Sequence, residues 1–306
     1  MRPIRALIIY FILVLFGGAL LAPWLWHLAQ LASHLATNHF EPFSTLTAKL
    51  ANAPFHRFLD RSFLLLALVG IWPLMRSLGA TSWREVGLPS PYSQGKKLWA
   101  GLALGLLSMA FVVGIEIGAG ARFFNHDATA QQVLHAFFSA LVSAAAVGLI
   151  EEILFRGALF GGLRKVLHWP FALALSSFIF AFVHFLGRAD ISSPVEWNSG
   201  LILLPQLFDL RALFPGFLSL TLVGVLLALA YQRTGNLYFS IGMHIAWVFV
   251  LRIFAMLTTE SSATVSGFWG SGKMIDGWLT FLVLVVTLII FQFLPLQKRP
   301  PYTISK

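Results

Sequence analysis

Eight apolar runs leave this chain few ways to fold. They lie at about 6–29, 62–79, 99–119, 135–163, 170–187, 214–231, 237–258 and 277–295, each near the ~20 residues that cross a hydrocarbon core as a helix. No polar stretch between them is long enough to fold alone. Composition agrees: of 306 residues, 58% are hydrophobic and 11% charged. A soluble domain usually carries about 25% charged residues. So few charges cannot cover a globule of this size in water, but they can cover the two ends of a bundle whose sides face lipid. The expected fold is all-α, a polytopic bundle of about eight spans. The expected organisation is three N-terminal spans with their loops over 1–134, a core over 135–258, and a last span with a basic tail over 259–306.

The run that begins at Ala6 continues to about Leu31, too long for the apolar core of a signal peptide, and reads as an uncleaved first span. Sorting loop Lys and Arg by side gives twelve on one side and seven on the other, which puts both termini in the cytoplasm. The net charge of +9 fits loops that meet anionic headgroups. No basic cluster with interleaved aromatics points to nucleic acid. With no cysteine, disulfides and thiolate chemistry are excluded. The connections at 30–61 and 188–213 read as long non-cytoplasmic loops. The apolar Leu201-Ile202-Leu203-Leu204-Pro205 in the second is expected to lie in the interface or dip into the bundle. Trp83-Arg84-Glu85-Val86-Gly87-Leu88 reads as a short amphipathic segment on the cytoplasmic surface. Trp169-Pro170 and Thr234-Gly235-Asn236 mark tight hairpins.

Ionisable groups inside a membrane are costly, and each is a functional candidate. The fourth span carries Glu151-Glu152-x-x-x-Arg156. At helical spacing Glu152 and Arg156 share a face and can pair, while Glu151 points about 100° away. Glu152 can thus be held ionised while Glu151 faces a water as a general base. A purely structural ion-pair network competes with that reading on these three residues. The fifth span carries Phe180-x-x-x-His184. With the hairpin centred near His168, Glu151 and His184 come out at nearly the same depth. His244 in the seventh span enters from the same side and can reach that level. Glu116 and Arg252, deep in the third and seventh spans, are expected to form a structural salt bridge.

Glu151-Glu152-x-x-x-Arg156, then Phe180-x-x-x-His184, then a histidine in a later span resembles the CAAX-protease and bacteriocin-processing (CPBP or Abi) family of intramembrane endopeptidases. The resemblance covers about 135–250. It implies an active site sunk in the membrane and reached from the cytoplasmic side. It also implies that Glu151 and His184 activate a water, that Glu152 and Arg156 position the site, and that His244 stabilises the oxyanion. The substrate would be a membrane-associated peptide or protein. No cofactor is favoured, although Glu151, His184 and His244 could also ligate a divalent metal such as zinc. One position departs: the family's His-x-x-x-Asn reads His244-x-x-x-Val248 here, so Ser240 or Trp247 would have to supply the missing donor. That departure keeps a non-catalytic membrane scaffold as the alternative. A transporter would show repeated halves or matched broken helices, and neither is present. Neither His-Glu-x-x-His nor Gly-x-Ser-x-Gly occurs.

Overall fold

The computed structural model describes residues 2–39, 41–80, 82–185, 191, 194–207, 214–261, 267–271 and 273–296. Arg188, Arg211 and the basic tail from Gln297 lie outside the described residues. The chain is an all-α polytopic bundle. Six helices are long and apolar enough to span a membrane: α1 (Ile4–Ala36), α3 (Phe55–Ser77), α4 (Gly95–Gly118), α5 (Ala130–Leu163), α8 (Gly216–Thr234) and α9 (Tyr238–Leu257). Two shorter apolar helices, α6 (Trp169–His184) and α10 (Trp278–Phe293), fall where the fifth and eighth spans are expected. The helices divide between two compact units, one of residues 1–78 and 185–210, the other of 79–184 and 211–306.

In the first unit the 30–61 connection is not a loop. α1 runs on to Ala36, α2 spans Glu41–Ala51, and α3 begins at Phe55 after a turn at Asn52-Ala53-Pro54. Residues 29–36 are rich in Ala and Leu and hold no Gly or Pro to stop a helix. The Gln30 side-chain amide donates to the Ala51 carbonyl at 2.8 Å and ties the two helices. The apolar segment of the second loop does dip inward. It forms α7 (Ser199–Leu203) and a 3₁₀ turn, and buries Leu203 and Leu204 against Ala19, Ala22, Phe55, Phe58 and Leu59.

In the second unit, α9 is the central helix: α4 and α5 both pack on it, while α8 packs on α6 and α10. Small residues set these contacts, because only glycine lets backbones approach this closely. A Cβ on Gly101 or Gly242 would run into a backbone carbonyl across the α4–α9 contact, Phe239 or Leu98. On α5 the buried ridge Ala136, Ala140, Ala144 and Gly148 faces α9, and a Cβ at Gly148 would sit 2.8 Å from Ile245 Cγ1. A Cβ at Gly224 on α8 would sit 2.8 Å from the Ser177 Cα on α6. We expect Gly242→Ala to lower stability by about 1–3 kcal/mol through overpacking against backbone. Gly114→Ala, where a Cβ meets nothing within 4 Å, should be neutral or stabilising by up to about 1 kcal/mol. Thermal unfolding in detergent separates the two; equal midpoints would contradict the packing account.

The turn after α8 is as expected: Gly235 takes the left-handed conformation (φ 69°) that ends the helix, and the Asn236 amide donates to Gln94 Oε1. The 83–88 segment, expected as a short amphipathic segment on the surface, is a series of turns. Its Val86 is buried, and the Leu237 backbone N–H donates to the Gly87 carbonyl at 2.8 Å. The expected Glu116–Arg252 pair is not made. Glu116 is buried beside Arg122, while Arg252, on the same stretch of α9 as Phe254, is turned to the exposed side. The reason lies in a short antiparallel ribbon, β1 (Arg122–Phe124) with β2 (Thr258–Glu260), at the end of α4 and α9. It brings Arg122 under the helix ends, where Nε donates to Thr258 Oγ1 at 2.8 Å and Nη1 lies 3.5 Å from Glu260.

Candidate active site

Thr129 starts α5 with a capping box: its hydroxyl accepts from the Gln132 N–H, and the Gln132 side chain accepts from the Thr129 N–H. The α-helix holds to Glu151. From Glu152 to Phe160 it loosens into a π-helix before one more α-turn. Such widened turns are rare and gather at functional sites. This one starts between the two glutamates.

Five residues from three helices meet there. Arg156 Nη1 lies 2.9 Å from Glu152 Oε1, and both side chains are almost wholly buried. His244 Nδ1 lies 3.0 Å from the same Glu152 oxygen. A carboxylate only accepts, so Nδ1 carries the hydrogen and donates it, leaving Nε2 turned toward Glu151. His244 Nε2 is 3.8 Å from Glu151 Oε2. From α6, His184 Nε2 approaches that same oxygen at 3.5 Å, while its Nδ1 donates to the Phe180 carbonyl at 2.7 Å. Two imidazole nitrogens therefore converge on one oxygen of Glu151. Both distances exceed a formed hydrogen bond, as is common in sites without substrate. Glu151 and His184 keep 23% and 30% exposure, against 6% for His244 and 0% for Glu152. The exposed edge of the cluster is thus the Glu151–His184 edge.

The hairpin register accounts for much of this. α5 and α6 turn at 164–168, which sets Glu151 and His184 at one level. His244 arrives because Gly148 draws α9 close, and Ile245, which it touches, is the next residue after the histidine. Phe180, the first residue of the Phe180-x-x-x-His184 motif, takes a role that the sequence does not assign. The Phe180 ring lies 4.2 Å under the Arg156 guanidinium carbon, packs 4.4 Å from the His184 ring and meets His244 edge-on. It is an aromatic floor that carries the cation and both histidines. The signal available was its place four residues before His184, on the same helix face.

The donor expected to replace the family asparagine is not placed to do so. The Ser240 hydroxyl donates to the Leu237 carbonyl, and Trp247 Nε1 donates to Ser108 Oγ at 2.9 Å. Among the described residues, no group of three or more His, Asp or Glu is arranged to hold a metal ion.

Residues 133–250 match the family model described as Rce1-like, type II CAAX prenyl endopeptidase. The CAAX-protease resemblance of the motifs is shown by this match. The matched segment holds all five clustered residues, with most of α5 and α9 and the whole of α6 and α8. No curated protein and no solved structure matches the chain. The chain is thus a multi-pass membrane protein in which residues 133–250 are similar to the Rce1-like family of type II CAAX prenyl endopeptidases.

Proposed function

We propose that the chain is an intramembrane endopeptidase that hydrolyses peptide bonds of membrane-associated substrates with a water activated by Glu151. The observation that carries the reading is the convergence of His184 Nε2 and His244 Nε2 on Glu151 Oε2. A water against that oxygen lies within reach of both imidazoles. Glu151 takes the proton as the water oxygen attacks the carbonyl carbon, and later returns it to the departing amine.

Charge counting assigns the other roles. Glu151 and Glu152 bring two negative charges and Arg156 one positive. A net charge buried at membrane depth is costly, so the neutral cluster holds one further proton, shared among Glu151 and the two imidazoles. With that proton on Nε2, His244 is the electrophile that meets the oxyanion, and Glu152 holds its ring by Nδ1. Arg156 and Phe180 fix Glu152 and His184 from beneath. With Ser240 and Trp247 engaged elsewhere, His244 acts without the amide partner that Val248 displaces. The donor set Glu151, His184, His244 needs no metal for this chemistry; a divalent ion such as zinc would polarise the same water. Chelation that leaves turnover intact supports the metal-free route.

The setting we propose is a bacterial cell membrane with both termini in the cytoplasm, on the bias of loop Lys and Arg. The second reading, a non-catalytic scaffold, is favoured by one observation: no freed donor stands in for the lost asparagine, a group worth about 10²–10³ in rate in other oxyanion sites. The test is cleavage of a peptide panel by the purified chain in liposomes, with products identified by mass. Fragments formed by wild type and not by Glu151→Gln support the peptidase. Fragments in neither, with partners retained equally by both, support the scaffold.

A further inference from the structure

In the first unit, away from the catalytic cluster, α1 and α3 border a groove of about 730 Å³. It runs from Ala6 and Ser77 at one end to Leu21 and Leu66 at the other. Along α1 that is ~22 Å at ~1.5 Å per residue, more than half of a ~30 Å hydrocarbon core. The floor is firmly built: Tyr10 and Leu74 are buried, and a Cβ on Gly70 would sit 2.8 Å from the Tyr10 ring. Both hydroxyls in the lining are engaged. Tyr10 donates to the Ala67 carbonyl at 2.8 Å, and Ser77 to the Leu74 carbonyl at 2.6 Å. The other lining residues are all apolar. On the α1 wall, Leu13–Gly17 forms a π-helix, a widened turn of the kind that gathers at functional sites.

The rims of the groove carry charge. On α1 the exposed ridge is Arg5, Ile9 and Leu13; on α3 it is Val69, Pro73 and Arg76. Steps of three and four keep each ridge on one helix face, so each rim ends in an arginine. The two arginines are also level. The helices are antiparallel and Gly18 meets Phe63; thirteen residues on from that contact, Arg5 stands opposite Arg76. The contact of Gly70 with Tyr10 gives the same register within one residue. Arg76 lies over the Trp72 ring, 5.5 Å from its centroid. α1 contains no Asp or Glu, and the one in α3, Asp60, is at the opposite end. Two guanidiniums at one level, with no carboxylate near them in either helix, call for an anion.

We propose that this groove binds one anionic phospholipid, with an acyl chain between the ridges and the phosphate between Arg5 and Arg76, in the leaflet where α1 begins. The groove itself selects hydrocarbon. An unwound peptide in the membrane must find polar partners, and the lining offers none that is not already engaged. The arginines select the headgroup. Packed helices lie 8–10 Å apart, so two long side chains at one level can hold a phosphate from both sides. Guanidinium is the cation best matched to phosphate oxygens, and basic pockets between membrane helices bind lipid phosphates in this way. A choline headgroup carries its own cation, which competes with the arginines for the phosphate. The site is independent of the peptidase reading, since no residue of the catalytic cluster takes part in it.

The test is native mass spectrometry of the full chain, delipidated in mild detergent and titrated with dioleoyl phosphatidylglycerol or dioleoyl phosphatidylcholine. Wild type should hold one phosphatidylglycerol about tenfold or more tighter than phosphatidylcholine. Arg5→Gln with Arg76→Gln should abolish that preference. Arg84→Gln with Lys96→Gln removes the same charge from exposed positions of the second unit and should leave the preference in place. Leu13→Trp with Val69→Trp fills the groove from its exposed rims and should weaken both lipids about tenfold with the arginines intact. Unfolding midpoints show which variants are folded, and the arginine pair decides the proposal if the tryptophan variant is not. Equal binding of the two lipids by wild type overturns the proposal. So does an equal loss of preference in the Arg84–Lys96 variant, which would show diffuse surface charge. Undiminished binding in a folded tryptophan variant would place the lipid elsewhere and also overturn it. A dimer that retains no lipid and that the tryptophans break would give the groove to a second copy of the chain instead.

Discussion

Glu151→Gln should lower kcat by about 10²–10⁴, the usual worth of a positioned general base, with the fold intact. The replacement keeps the side-chain shape and can still accept from His184, but cannot take a proton from water. Glu151 is the one carboxylate in the cluster without a formed bond to a cation: its oxygen stands 3.5 Å and 3.8 Å from two imidazoles. His184→Ala should be damaging in the same step, because His184 faces the same oxygen and is locked by Phe180. Residues that act as a unit are not additive, so the double variant should be no slower than Glu151→Gln alone. The check is turnover with circular dichroism and unfolding midpoints on the same preparations. A double variant much slower than either single one would separate the two residues into different steps.

Arg156→Met should be the most damaging single change to stability, by about 3–5 kcal/mol, because it strands a buried charge. Glu152 is wholly buried and would keep only His244, while the 2.9 Å contact to the guanidinium would be gone. The Phe180 ring would lose the cation it carries. The pair itself need not stabilise the fold, since taking two charges out of water offsets much of their attraction. Glu152→Gln combined with Arg156→Met should therefore recover most of the lost stability. It should not recover activity, because His244 would no longer be held by a carboxylate. Unfolding midpoints and turnover on the single and double variants give both answers. A double variant as unstable as Arg156→Met would show that the guanidinium matters through its packing, and activity in the double variant would remove Glu152 from the positioning of His244.

The parts of this molecule that follow from local spacing were legible in the sequence. Apolar runs gave the helices, Gly235 gave the end of α8, and counting from His168 placed Glu151 and His184 at one depth. Glu152 with Arg156 followed from a four-residue interval. What failed depended on contacts between distant segments. The partner of Glu116 was misjudged because depth along two helices says nothing of rotation about them, and because the ribbon that brings Arg122 to Thr258 and Glu260 pairs strands far apart in sequence. The 30–61 connection reads as a long loop in the sequence, though residues 29–36 lack any Gly or Pro that stops a helix. The π-helix at Glu152–Phe160 leaves no recognisable pattern in the residues, and the contact of Val86 with Gly157 is a matter of tertiary packing alone. His244 was the residue least supported by spacing. It reaches the site through Gly148, whose meaning is visible only once α9 lies across it.

The central claim is direct attack by a water that Glu151 activates. It is tested most directly by a single turnover in heavy-oxygen water with hydroxylamine present, using wild type and Glu151→Gln on a peptide that wild type cleaves. The account predicts one heavy oxygen in the new carboxyl terminus from wild type, no hydroxamate, and no product from Glu151→Gln. A hydroxamate product would reveal a covalent acyl intermediate, and undiminished cleavage by Glu151→Gln would take the base away from Glu151; either result would contradict it.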